Sequence, residues 1–171
     1  MMLESPEATI LFAQVIGTVA QAGDNLVLTG DLGAGKTTLT KGIAQGLGID
    51  QMIKSPTYTI IREYTQGRLP LYHMDVYRTG ESAGDLGLDE YFEGEGLCVI
   101  EWGNLLETYL PESYLEIILT KDADHSDRRS VTFQAFGPKA QAFEERIKMT
   151  WEAGTVCYTN FRAHETEAEF V

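Results

Sequence analysis

The sequence predicts an α/β domain: a mostly parallel sheet with flanking helices and some antiparallel strands, folded as one unit. Three observations carry this. Asn25-Leu26-Val27-Leu28-Thr29 is a short strand that runs into a glycine-rich loop, and Thr38–Ala44 reads as the helix leaving it. Leu97–Trp102 is an apolar run ending in Glu101 and Trp102, the pattern of a strand buried on both faces. Elsewhere strands outnumber helices, so crossover helices are few. At 171 residues the chain suits one such domain with a sizeable core.

Taken in order, Ser5-Pro6-Glu7 opens the first helix with a capping hydroxyl, a proline in the first turn and an acid near the positive helix end. Ala8, Leu11, Phe12, Val15, Ile16 and Val19 recur at helical spacing and give one buried face to about Ala22. Gly23-Asp24 breaks the pattern before the first strand. The second helix buries Leu39, Ile43 and Leu47 and ends among Gly46 and Gly48. Tyr58–Tyr64 is rich in β-branched and aromatic residues, and the turn Thr65-Gln66-Gly67-Arg68 separates it from Pro70–Tyr77. The two read as a hairpin or as neighbouring strands. Glu81–Phe92 is a short helical stretch weakened by Gly84 and Gly87, and Leu105–Leu110 is a helical turn stopped by Pro111. Tyr114–Thr120 and Ser130–Phe136 are two further strands joined by the polar loop Lys121–Arg129. Ala140–Trp151 closes the domain as a helix carrying Phe143, Ile147 and Trp151. One domain is thus expected over 1–151. Residues 152–171 form an acidic tail without clear periodicity and without an assigned role, with room for one strand near Val156–Phe161.

Composition narrows the function classes. Thirteen Lys and Arg stand against 26 acids, a net charge of −13, and the largest basic cluster is the pair Arg128-Arg129. Proteins that grip nucleic acid through phosphates show a basic face. Independent nucleic-acid binding is therefore disfavoured, while a basic partner protein can still recruit the chain to one. No run has the length of a membrane-spanning helix, and the N-terminus lacks a basic region followed by an apolar stretch. The two cysteines, Cys98 and Cys157, lie far apart and do not suggest a disulfide framework. The expected compartment is the cytoplasm, with no membrane partner.

The residues that can carry chemistry fall into a few groups. Gly30-Asp31-Leu32-Gly33-Ala34-Gly35-Lys36-Thr37 is a complete G-x-x-x-x-G-K-[ST] loop. Its glycines let the backbone turn so that successive N–H groups face phosphate oxygens. Lys36 supplies a point charge for the β/γ-phosphates, and the Thr37 hydroxyl can ligate Mg²⁺. Glu101 stands where enzymes with such a loop place a Mg²⁺-holding carboxylate, at the end of a buried strand. In His73-Met74-Asp75-Val76-Tyr77-Arg78, alternation puts His73, Asp75 and Tyr77 on one face and Tyr72, Met74 and Val76 on the other. Asp75 suits a second carboxylate that positions Mg²⁺ or water, and a solvent-facing polar strand would show the same pattern. His73 is not expected to bind metal, because His125 and His164 lie far off and no Cys/His cluster has ligand spacing. Lys54-Ser55-Pro56-Thr57-Tyr58 puts hydroxyls where nucleotide switch loops sit, although on sequence alone it reads first as a plain turn. Arg128-Arg129 can meet a base or phosphate, or simply be solvated.

The set Gly30–Thr38, Ser55–Tyr58, His73–Arg78, Gly87–Phe92 and Ile100–Trp102, in that order, resembles the bacterial TsaE family, also called YjeE. These are small P-loop ATPases of tRNA threonylcarbamoyladenosine biosynthesis, and the resemblance covers roughly Ser5 to Trp151. It implies a P-loop NTPase-like sheet with an ATP and Mg²⁺ site. Lys36 and the loop from Asp31, Leu32, Gly33, Ala34 and Gly35 to Thr37 and Thr38 would bind the phosphates. Thr37 and Glu101 would hold Mg²⁺, and Asp75 matches the acid near the metal and the attacking water. Lys36, Asp75 and Glu101 are thereby the expected catalytic set. Thr57 matches a switch-like threonine and Trp102 the tryptophan after the strand-end acid. Thr9 and Arg129 are looser matches to nucleotide-contacting positions. The tail exceeds the family's usual length.

The resemblance also implies partners, the TsaD and TsaB proteins, whose complex modifies the adenosine next to the anticodon in tRNAs decoding ANN codons. ATP hydrolysis is then weak alone and significant within the complex, and tRNA is met only through that complex. A small-molecule kinase would need an acceptor pocket and a lid bearing arginines, for which the chain offers no evident insertion. A GTPase would need Asn/Thr-Lys-x-Asp, and Thr120-Lys121-Asp122-Ala123 has Ala in the last place. A nucleotide-gated interaction module overlaps the favoured reading.

Overall fold

The computed structural model describes residues 1–31, 33–56, 59–77, 84, 86–103 and 106–168, with the side chains of Glu107 and 155–168 outside the description. The first helix starts as the sequence predicts. The Ser5 hydroxyl accepts the Ala8 N–H at 3.1 Å, Pro6 occupies the first turn, and α1 runs over Pro6–Val19. It stops a turn short of the expected Ala22, at Ala20, whose backbone leaves helical geometry.

Among the described residues seven strands form one sheet: β1 (Met2–Leu3), β2 (Asn25–Thr29), β3 (Ile61–Tyr64), β4 (Leu71–Asp75), β5 (Leu97–Glu101), β6 (Tyr114–Lys121) and β7 (Arg129–Phe136). Their order is β1-β7-β6-β2-β5-β4-β3. The central four, β6-β2-β5-β4, run parallel, and antiparallel pairing is confined to the flanks. The hairpin is present as β3–β4, with Ile61 opposite Met74. The segment read as a strand from Tyr58 pairs only from Ile61. Before it, Ile60 adopts φ 68°, a left-handed conformation that β-branched residues avoid. β1 escapes any reading by periodicity because it has only two residues.

The β2, β4 and β5 strands are parallel, so their C-terminal ends emerge at one edge of the sheet, where open α/β sheets place ligands. One face packs Leu26, Leu28, Leu71, Leu97 and Val99 beneath α1 and α2 (Lys36–Gly46), with Phe12, Ile16, Leu39 and Ile43 filling the larger core. The other face carries Val27, Met74, Cys98 and Ile100 against Leu88 and Phe92 of α3 (Leu88–Phe92) and Leu106. The α1 and α2 backbones approach closely where Gly17, Gly42 and Gly46 meet. A Cβ added to Gly42 would lie 2.5 Å from the Ala13 Cβ and 3.1 Å from the Ile10 carbonyl oxygen.

Two expectations need correction. The closing helix, α4, does not end at Trp151 but runs over Pro138–Ala168, and no strand forms near Val156–Phe161. Gly154 costs a helix only about 1 kcal/mol relative to Ala. The residues beyond it include several good helix formers and no proline, so nothing terminates the helix there. The helical stretch Glu81–Phe92 is helical from Leu88, and 81–83 and 85 lie outside the described residues. The turn expected over Leu105–Leu110 holds a 3-10 turn at Glu107–Tyr109. Among the described residues no helix is long and apolar enough to cross a membrane.

Candidate functional site

The glycine loop links the end of β2 to the start of α2. Gly33 and Gly35 take φ of 82° and 107°, which side-chain-bearing residues rarely adopt. These turns carry the chain into α2, whose first residue is Lys36. The Lys36 side chain folds back: its Nζ donates to the Gly30 carbonyl at 2.9 Å and lies 3.9 Å from the centre of the Trp102 ring. Arg129 holds the loop from behind, its Nε donating to the Ala34 carbonyl at 2.8 Å.

The strand ends supply two carboxylates. Asp75 and Glu101 close β4 and β5 and are direct neighbours in the parallel register. Both are buried, at 7% and 5% exposure. Asp75 is held from two sides: its N–H donates to the Ile60 carbonyl at 2.8 Å, and its Oδ1 accepts the Tyr77 N–H at 3.0 Å. The strained Ile60 backbone thus fixes where Asp75 sits. Glu101 Oε2 lies 2.7 Å from His73 Nε2, and His73 is wholly buried. Its Nδ1 has no hydrogen-bond partner among the described residues. Trp102 follows with φ 63°, a second side-chain-bearing residue in the left-handed region, and its ring packs on Tyr77 with centroids 5.1 Å apart.

These groups open onto one cavity of about 660 Å³, lined by Gly33, Gly35, Lys36, Thr37, Thr38, Ser55, Asp75, Tyr77, Glu101 and Trp102. That size falls within the range of small-molecule sites. Lys36 is the one cation among these lining residues. On the far side of Lys36 and Trp102 a smaller cavity of about 270 Å³ is bounded by Thr29, Gly30, Asp31 and Thr120. The donor set at the larger cavity fits Mg²⁺ in kind: two buried carboxylates and the Thr37 hydroxyl are hard oxygen ligands. Mg²⁺ is usually held by one or two carboxylates together with substrate phosphates and water. Among the described residues no three of His, Cys, Asp or Glu gather into a metal cage.

Of the residues singled out from sequence, Gly33, Gly35, Lys36, Thr37, Thr38, Asp75, Glu101 and Trp102 meet at this cavity. Ala34 and Arg129 join each other at the back of the loop, and Asp31 lines the smaller cavity. Thr9 is not brought in: it is buried within α1, its hydroxyl donating to the Ser5 carbonyl at 3.3 Å. Leu32 and Thr57 lie outside the described residues. Three lining or supporting residues stand within the sequence motifs without an individual site role predicted for them. Ser55 and Tyr77 line the cavity, and His73 supports Glu101 from the core. His73 had a signal, its shared strand face with Asp75, but that pattern does not say what the imidazole meets.

The profile of the family described as threonylcarbamoyl adenosine biosynthesis protein TsaE matches residues 3–131. The chain is 50% identical to the tRNA threonylcarbamoyladenosine biosynthesis protein TsaE of Bacillus subtilis over 143 residues, 84% of this chain and 89% of that one. It is 46% identical to the protein of the same name from Treponema pallidum, over 70% of this chain and 90% of that one. The crystal structure of Bacillus subtilis YdiB superposes with a TM-score of 0.77 at 45% identity, covering 88% of this chain and 93% of that one.

Proposed function

The chain belongs to the TsaE family of threonylcarbamoyl adenosine biosynthesis proteins, and we propose that it binds and hydrolyses ATP in support of tRNA N6-threonylcarbamoyladenosine formation, acting with TsaD and TsaB. One observation carries the hydrolytic part of this reading. A lysine-bearing glycine loop and two buried carboxylates from adjacent parallel strands face the same cavity.

Each group has a task that its position allows. The N–H groups of the loop from Gly33 to Thr38 present donors to phosphate oxygens at the start of α2, where the helix dipole adds favourable potential. Lys36 exchanges its hydrogen bond to Gly30 for a phosphate oxygen. Thr37 and Glu101 would hold Mg²⁺, which when bound neutralises charge on the β- and γ-phosphates. Asp75, anchored by Tyr77 and Ile60, would accept a hydrogen bond from the attacking water and orient it. Trp102, packed against both Lys36 and Tyr77, forms part of the cavity wall.

The acidic charge agrees with a protein that serves tRNA modification without gripping tRNA itself. The test is a pull-down with TsaD and TsaB, followed by phosphate release from ATP with and without them. Association together with faster phosphate release is the expected result. Neither association nor turnover in any combination would overturn the reading.

A further inference from the structure

His73 is a polar group in an apolar place. It lies on the sheet face beneath α1 and α2, two residues after Leu71 and beside Val99 of β5, and is wholly buried. Burial of an imidazole there is unfavourable unless a hydrogen bond compensates for the lost water. Among the described residues its one side-chain hydrogen bond is to Glu101, across 28 residues of sequence.

The direction of that bond follows from Glu101 acting as an ionised, metal-holding carboxylate. A carboxylate only accepts, so Nε2 carries the proton and donates to Glu101 Oε2 at 2.7 Å. The unpartnered Nδ1 is then the bare ring nitrogen, which avoids an orphaned buried N–H. Glu101 lines the cavity, and His73 does not. One carboxylate oxygen is therefore clamped from the core while Oε1, with no hydrogen bond among the described residues, is left to the cavity.

We propose that His73 is a positioning residue: its Nε2–H holds the flexible Glu101 side chain in the single orientation that presents Oε1 to a divalent cation. This rests on the reading of the cavity as a Mg²⁺–nucleotide site. The role belongs to the donor at the Nε2 position, not to the bulk of the ring. Glutamine carries an amide nitrogen the same number of bonds from Cβ, asparagine falls one bond short, and leucine fills volume without a donor.

The test uses the full chain with Mn²⁺ as a spectroscopic stand-in for Mg²⁺, titrated by electron paramagnetic resonance in the presence of ADP. A fluorescent ADP analogue in EDTA reports nucleotide affinity without metal. His73→Leu and His73→Asn are expected to weaken Mn²⁺ binding about tenfold, the scale seen when partners of metal ligands are removed. His73→Gln should restore it, with metal-free nucleotide affinity unchanged in all three. Should His73→Leu not fold, the contrast between Gln and Asn decides alone. Weak Mn²⁺ binding in Glu101→Gln but wild-type binding in His73→Asn overturns the positioning role and leaves the site standing. A His73→Gln variant as weak as His73→Asn also overturns it. Wild-type Mn²⁺ binding in Glu101→Gln removes the metal-site reading, and this inference with it.

Discussion

Gly42 lies in the middle of α2, the helix that begins with Lys36 and Thr37, so its packing bears on where the loop stands. A Cβ at this position would lie 2.5 Å from the Ala13 Cβ, whereas carbon atoms settle at roughly 3.5–4.0 Å. Gly42→Ala therefore has to part α1 and α2 by about 1 Å at their crossing. Overpacking of this kind costs about 1–3 kcal/mol, and alanine returns about 1 kcal/mol of helix propensity. The net loss is on the order of 1 kcal/mol, about 2–4 °C in melting temperature for a domain of this size. The sharper observable is the coupling with Ala13→Gly, which removes the opposing methyl. Urea unfolding of the wild type, both single variants and the double variant should give a favourable coupling of about 1–3 kcal/mol, within the range for residues in contact. Strict additivity, or a Gly42→Ala protein more stable than wild type, would refute the close approach of the two helices.

Two further outcomes follow from buried ionisable groups. Burial pushes the Cys98 thiol up to about 12, so at pH 8 its thiolate fraction is about 2,000-fold below that of a free cysteine. In a Cys157→Ser background, iodoacetamide should leave Cys98 unmodified until the protein unfolds, and rapid alkylation of the native protein would contradict its placement. Burial also raises Asp24 above its ordinary 3.8, against the opposing pull of the Gln21 N–H and the Arg146 guanidinium. The folded state then keeps a proton that the unfolded chain has released. The stabilising contribution is full below 3.8 and is lost as pH rises through the raised value. Measured by urea unfolding between pH 3 and 7, the stability of wild type relative to Asp24→Asn should fall with rising pH and then level off. A difference that rises instead would reverse the sign of the shift.

Much of the site could be read before the fold was known, because its signals are local. The glycine spacing fixes the loop, and the period of two puts His73 and Asp75 on one strand face. What that face meets is a tertiary matter. The alternation is equally compatible with solvent, and only the parallel register that sets Asp75 beside Glu101 turns it into the floor of a cavity. The His73–Glu101 pair was invisible for the same reason, since a contact across 28 residues has no local mark. Thr9 shows the limit of matching by resemblance from the other side. A position matched by resemblance proved to be a threonine bonded within its own helix turn. The C-terminal helix runs on past Trp151 although the tail lacks clear apolar periodicity, because periodicity reports a packed face and a single glycine costs a helix too little to end it.

The central claim is that Lys36, Asp75 and Glu101 form one hydrolytic site, and steady-state phosphate release with parallel ADP-affinity measurements tests it most directly. Lys36→Ala should lose nucleotide binding and turnover together. Asp75→Ala and Glu101→Ala should keep much of the binding and lose turnover by about 100-fold or more, the scale of a lost acid–base or water-positioning group. ATP hydrolysis that survives all three substitutions would contradict the assignment.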